Sequence, residues 1–420
     1  MKKRVITLFT ALLLGVAYVG YAQESRNLQY FRSAGKPGVN VFETPKEDTI
    51  AFEHINVRVG GDFAIQFQAL NQQNNGDSLA DLGSNFNLPT ANLDIDVQLH
   101  DGVRMHLRTY LSARHHQEAW VKGGYIQMDK LDFIRTGFLN GLMNIATIKI
   151  GLDEFNYGDA HFRRTDNARA IYNPFVGNYI MDAFSTEVFG EVTLQHNGWL
   201  SVVGLTNGKL NQNVVINQNS DNQPSFYGKL GYDDYVSDEL RVRLTGSWYI
   251  NQGTTTGTYL YGGDRGGGRY YKVMQTVSGA GSDFEGRFNP AFKAISAFQI
   301  NPFVKYQGLE FFGIYEVASN ADDQGGGFFT QLAGELLYRF GPDEQLYAGG
   351  RYNTVSGEML EGSPVMNIQR LSLGAGWFLT ENILAKFEYV TQTYDGAGWQ
   401  NTKYAGGKFD GLVIEAVVGF

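Results

Sequence analysis

The chain has no cysteine in its 420 residues. That excludes a disulfide scaffold, a thiol nucleophile, a thiolate metal site and an N-terminal Cys carrying lipid. Proline is scarce, at 9 residues. After Gln23 no apolar run reaches 18 residues, so nothing in the body of the chain crosses a bilayer as a helix. Positive charge is also short: 34 Lys and Arg stand against 43 Asp and Glu, a formal charge of −9. An acidic chain of this kind argues against nucleic acid as a partner.

What is abundant points one way. There are 52 Gly, 29 Phe, 24 Tyr and 5 Trp, with 43% hydrophobic residues, the composition of a folded, large all-β protein and not of a disordered chain. Residues 1–22 stand apart. Lys2, Lys3 and Arg4 precede an apolar stretch from Val5 to Val19, and Gly20 and Ala22 supply small residues before Gln23. This reads as a secretory signal peptide, too short in its apolar part for a retained membrane helix. Its removal takes the formal charge to −12.

From Ile55 onward the sequence alternates with period two, the mark of a strand with one apolar and one polar face. Val57, Val59, Phe63, Ile65 and Phe67 share a face opposite Arg58, Asp62, Gln66 and Gln68. The pattern returns in Leu93–Leu99, Val103–Leu111, Val242–Ile250, Leu332–Phe340, Leu371–Trp377, Ile383–Tyr389 and Leu412–Phe420. A soluble sandwich and a transmembrane barrel both alternate. The barrel is favoured because Lys, Arg, Asp and Glu are missing from the middle of the apolar faces, where a basic residue in lipid costs about 2–4 kcal/mol. Trp248, Phe340, Trp377, Tyr389 and Phe420 also stand near segment ends, where interfacial girdles belong. The expected fold is therefore an all-β transmembrane antiparallel barrel. About 16 strands fit the mature length, with 18 as the next even count. Residues 53–420 form the barrel, and residues 23–52, too irregular for a strand, lie in the periplasm or enter the lumen.

A barrel of that size holds a water-filled channel. Residues 153–183 form a long connection rich in charge, a candidate constriction loop in which Arg163, Arg164 and Arg169 face Asp159 and Asp166 across the narrowest section. The other reading is an extracellular loop with solvated charges. Strand residues expected to point inward balance at ten basic and ten acidic, which predicts weak ion discrimination. Arg104, Arg108, Arg241 and Arg243 would make a local anion site if their strands face one another.

Four stretches carry a resemblance: Thr147–Gly151, Gly158–Arg164, the pair Leu371–Thr380 and Asn382–Val390, and the terminal strand ending in Phe420. In these the chain resembles Gram-negative outer-membrane porins, most of all the phosphate-selective porin family in Bacteroidetes-type bacteria. The resemblance implies a 16-stranded channel, often a homotrimer, in the cell outer membrane. It also implies that Phe420 is read by the barrel-assembly machinery. The balanced inward charge departs from the arginine ladder and lysine cluster of phosphate-selective members, so diffusion of small hydrophilic solutes and ions is the better-supported expectation, with anions such as phosphate as the narrower one.

Enzymatic readings find little support. Gly204–Leu210 is one residue short of a phosphate-binding P-loop and lacks the Ser/Thr after Lys209, and the Gly-rich 261–268 run precedes a strand, not a helix. No G-x-S-x-G or H-E-x-x-H occurs. His115, His116 and Glu118 are a weak metal set, so no cofactor or metal is expected. A barrel hydrolase with residues gathered from several strands is a minor alternative. The main rival is an outer-membrane barrel that binds surfaces through its loops without an open channel.

Overall fold

In the computed structural model the described residues are 28–47, 50–112, 118–210, 214, 223–253, 259–262, 270–279, 285–321 and 325–420. The proposed signal peptide, His115 and His116 fall outside them. Sixteen strands make up one antiparallel sheet: β1 (Asn56–Gln73), β2 (Thr90–His100), β3 (Val103–Ser112), β4 (Glu118–Met128), β5 (Ala146–Glu154), β6 (Thr186–His196), β7 (Trp199–Thr206) and β8 (Ser225–Ser237), followed by β9 (Leu240–Asn251), β10 (Ile295–Tyr306), β11 (Leu309–Asn320), β12 (Phe328–Phe340), β13 (Leu346–Glu358), β14 (Met366–Thr380), β15 (Ile383–Asp395) and β16 (Lys408–Gly419). A two-residue piece, Asn85–Phe86, adds to β1. The strand number is the one favoured over 18, and the first strand begins at Asn56.

The sheet closes on itself through β1. Its first half pairs with β2, from Asn56↔Gln98 to Ala64↔Thr90, and its second half with β16, from Asp62↔Gly419 to Gln73↔Lys408. Just before the overlap of the two pairings, neighbouring backbone crowds in: a Cβ at Gly60 would come within 2.6 Å of the Phe420 carbonyl oxygen, and one at Gly61 within 2.7 Å of that of Asn92. Only a hydrogen fits there. Phe420 completes the seam, its backbone exchanging two 3.0 Å hydrogen bonds with Gly61.

The two ends differ. At one end most hairpins are tight, such as Asn197–Gly198 between β6 and β7, where both residues have positive φ as a two-residue hairpin turn demands. Long connections leave the other end. No helix of the described residues is long and apolar enough to cross a membrane; the strands do so instead.

Burial is inverted relative to a soluble protein. Leu332 and Leu336 on β12 are 50% and 54% exposed, while their neighbours Gln331 and Glu335 are 0% and 1% exposed. The same reversal recurs in Ile414 against Glu415. Exposed aromatics gather in two belts: Trp199, Tyr306, Tyr338, Trp377 and Phe420 at the tight-turn end, and Trp120, Phe226, Phe298 and Phe328 at the other. These are the interfacial girdles of a membrane barrel. Tyr389, expected in a girdle, is instead mid-strand opposite Leu412.

The interior is not an empty bore. Residues 28–47, the connection 155–185 and the described parts of the connection 252–294 all pack against the inner wall. Several inward residues are accordingly apolar. Tyr249 and Val413 join Leu260, Tyr270 and Met274 in one cluster, and Val417 joins Ile171 and Phe175 in another.

Placing Lys at Leu332 should destabilise the barrel by about 2–4 kcal/mol, because an ammonium would enter hydrocarbon. The loss is expected as a lower urea midpoint for the folded species in lipid, and Leu332→Val should leave the midpoint nearly unchanged.

Candidate channel constriction

The connection between β5 and β6 begins after Glu154 and ends before Thr186, so Asp153 and Glu154 belong to β5 and not to the loop. It first folds on itself. Arg164 grips Asp182 in a two-pronged ion pair, with Nε 3.0 Å from Oδ1 and one Nη 2.7 Å from Oδ2. The Asn178 side chain accepts from the Thr165 amide at 2.8 Å and donates to the Thr165 carbonyl at 2.9 Å. These bonds replace the regular ladder that an irregular buried segment lacks.

The inner wall then satisfies the loop's remaining backbone. Asn353 accepts from the Ile180 amide at 2.7 Å, Gln331 brackets Met181 from both sides at 2.9 and 2.7 Å, and Arg351 donates to the Gly177 carbonyl at 2.6 Å. Lys386 donates to the carbonyls of Ala170 and Phe175 at 2.8 and 3.0 Å. Glu388 accepts from the Val176 and Gly177 amides and from the Tyr270 hydroxyl. Two backbone bonds, Phe184 to Leu260 at 2.8 Å and Phe288 to Ile180 at 2.6 Å, tie the second inserted connection onto the first. Much of the inward charge on β10–β16 thus works as struts for inserted chain, which a count of strand charges cannot reveal.

The charged loop residues do not oppose one another as expected. Arg163 pairs with Glu310 at 2.6 Å and Glu335 at 3.2 Å, Arg164 with Asp182, and Arg169 with Glu154 at 3.0 Å. Asp159 binds Lys229 at 2.7 Å and Arg243 at 2.8 Å, while Asp166 binds Lys122 and Arg108 at 3.2 and 3.3 Å. The reason is proximity: Arg163, Arg169, Asp159 and Asp166 are each nearer to a strand residue of opposite sign than to one another, and Arg164 is taken by Asp182 within the connection. Burial by itself would raise the pKa of Asp159, yet Arg243 and Lys229 outweigh it and hold the carboxylate well below its usual range. Burial likewise works against the charge of Arg163, but Glu310 and Glu335 overcome it and its pKa is raised.

Arg104, Arg108, Arg241 and Arg243 all point inward but form two groups. Arg104 and Arg108, on β3, pair with Asp96 and Asp94 of β2. Arg241 and Arg243, on β9, pair with Asp233 of β8. Sequence reasoning passed over Lys229, which alternates with Ser225 and Tyr227 on β8 and was findable by its period. It also passed over Lys122, because a register shift opposite Arg108 breaks the alternation and leaves Trp120 and Val121 both outward. The contacts of Arg32 and Glu43 had no signal, since their segment has no period.

A cavity of about 160 Å³ lies between the inserted chain and strands β1–β6. Its lining includes Arg32, Arg58, Arg104, His106, Lys149 and Arg169. Some of this donor capacity is not matched to carboxylates. Arg32 donates to the carbonyls of Gly38 and Phe162 at 3.0 and 2.9 Å and lies 3.7 Å over the Tyr172 ring; its burial lowers its pKa to about 10. The Lys149 ammonium sits 4.0 Å over the Tyr125 ring. His106 meets Asp96 through Nδ1 at 2.8 Å, while its Nε2 and the Nε of Arg104 are buried with no hydrogen-bond partner. Among the described residues no group of three or more His, Asp and Glu has metal-binding geometry.

Removing a partner from a fully buried pair strands a charge. Arg164→Met should therefore cost about 3–5 kcal/mol in unfolding experiments, since Asp182 has no other basic partner among the described residues, whereas Lys130→Met, at the exposed pair with Asp101, should cost within about 1 kcal/mol.

No protein-family model matches the chain, and no curated protein matches it. Solved structures do. In-vitro folded OmpT, an outer membrane protein of Vibrio cholerae, aligns over 88% of this chain and 99% of its own at 11% identity and a TM-score of 0.53. An anion-selective porin from Comamonas acidovorans aligns over 87% and 100% at 11% identity, TM-score 0.53. The outer membrane channel DcaP of Acinetobacter baumannii aligns over 87% and 98% at 10% identity, TM-score 0.52. The resemblance to phosphate-selective porins thus narrows to the fold they share with porins at large: a closed outer-membrane β-barrel of sixteen strands.

Proposed function

We propose that the protein is a porin of the Gram-negative outer membrane, a channel through which small hydrophilic solutes and ions diffuse, with anions such as phosphate favoured at its narrowest part. The observation that carries this reading is the cavity beside β1–β6, walled by charged strands and bounded by the inserted connection 155–185. The tight-turn end faces the periplasm and the long connections face outward, following the usual asymmetry of such barrels. Anion preference rests on Arg32 and Lys149, which meet no carboxylate among the described residues, and on the Nε of Arg104 and Nε2 of His106 that their contacts with Asp96 leave unpartnered, since a passing oxyanion supplies an acceptor. Within this reading Arg169 and Arg108 line the passage, and Arg163, Arg164, Asp159 and Asp166 hold the constriction in shape. The remaining partners are the outer-membrane lipid, two further copies of the chain in a homotrimer and an assembly machinery that reads Phe420.

One observation favours a second reading. Three stretches of inserted chain pack against the inner wall, as a closed surface-binding barrel requires. Planar-bilayer recording of the refolded protein separates the two. A porin gives ohmic steps and a KCl-gradient reversal potential of anionic sign, reduced current when inorganic phosphate is added, and a shift toward cations in Lys149→Glu. A membrane that stays silent, together with liposomes that do not swell in small sugars, rejects the channel.

A further inference from the structure

Residues 28–47 trace a circuit of the barrel's inner wall at the tight-turn end. Gln29 donates its amide to Gln98 of β2 at 3.0 Å. The Lys36 amide then reaches the Glu381 carbonyl in the β14–β15 turn at 2.7 Å. Asn40 donates to Glu310 of β11 at 2.6 Å. Glu43 pairs with Arg243 of β9 at 2.8 Å and Lys229 of β8 at 3.3 Å. Lys46 ends the circuit on Asp129 and on the Ala146 carbonyl, both at 2.8 Å. The contacts visit strands on every side of the ring in order, so the segment runs along the wall and does not cross the mouth as a bar.

Two features tie this hoop to the solute path. Arg32, Ala34, Phe42, Glu43 and Thr44 line the same cavity as the wall arginines. Lys229 and Arg243 also hold Asp159 of the inserted connection, so one pair of cations clamps both elements. Asn156 of that connection donates to Glu43 at 2.9 Å, completing the joint. Burial works against ionisation of Glu43, but Arg243 and Lys229 outweigh it and lower its pKa to about 2.

We propose that residues 28–47 are an inner collar that, joined to the connection 155–185 through Glu43, sets the size limit of the channel. The collar rests on the porin reading above and assigns the narrowing to a segment outside the sixteen strands. It is irregular, and besides the Lys36 backbone bond and the packing of Phe42 on Phe303 its hold on the wall is a set of side-chain bonds that single substitutions can loosen.

The absence of native cysteine makes the test clean. Thr44→Cys is refolded and modified with a negatively charged methanethiosulfonate reagent during bilayer recording, with Ser363→Cys in an outer connection as the control. Modification at residue 44 is expected to lower single-channel conductance about two-fold, as a bulky charge at a constriction does, with no change at residue 363. Glu43→Gln is expected to raise conductance and to increase current noise. Unchanged conductance after mass-verified labelling of residue 44, or a residue 44 that the reagent cannot reach in a conducting channel, overturns the collar. A wild-type protein with no conductance rejects the porin reading itself, so the two failures are distinct.

The latch also predicts a pH response. A carboxylate whose pKa is lowered on folding stabilises in full above its ordinary value of 4.5 and loses that contribution as pH falls toward about 2. Hydrogen exchange in residues 28–47, corrected for intrinsic rates, should be flat at neutral pH and rise only in that acid window, and Glu43→Gln should abolish the rise.

Discussion

Lipid offers the backbone no hydrogen-bond partner, and the fold follows from that constraint. A sheet with a free edge would leave a row of amides and carbonyls unsatisfied in hydrocarbon, so β1 bonds to β2 along one half and to β16 along the other. The glycines at positions 60 and 61 let the two partners approach at the seam. With the edge gone, side chains can be distributed in reverse, apolar outward and ionic inward.

The interior then poses the opposite problem. A cylinder of sixteen strands is too wide for its own side chains to fill, and the space is taken by three stretches of irregular chain whose backbone needs partners. Asn353, Gln331, Arg351, Lys386 and Glu388 supply them, each from a strand that also faces lipid with its other side. Inward polarity is therefore spent largely on structure. On the side of β1–β6 it borders a cavity, where some of the donors meet no carboxylate.

Lys229 and Arg243 show how closely support and function are joined. They pair with Asp159 on one inserted element and Glu43 on another, so a compact cluster of four charges joins the two elements. Because the four are buried, their mutual attraction is little screened, and substitution of any one leaves its partners exposed to the desolvation penalty.

Period-two alternation is local, and it disclosed what local chemistry decides: that residues such as Val59, Leu332 and Ile414 face one way and Arg58, Gln331 and Glu415 the other, and that the apolar side meets lipid; chain length then favoured sixteen strands over eighteen. It faltered where a register shift interrupts it, as at Lys122, and it was mute on residues 28–47, which have no period. Pairings across the lumen belong to the tertiary structure alone. Arg163 meets Glu310 and Glu335, and Glu43 meets Arg243, over separations of well over a hundred residues. Those partners are chosen by the curvature that brings distant strands around a common centre, and no spacing along the chain encodes that distance.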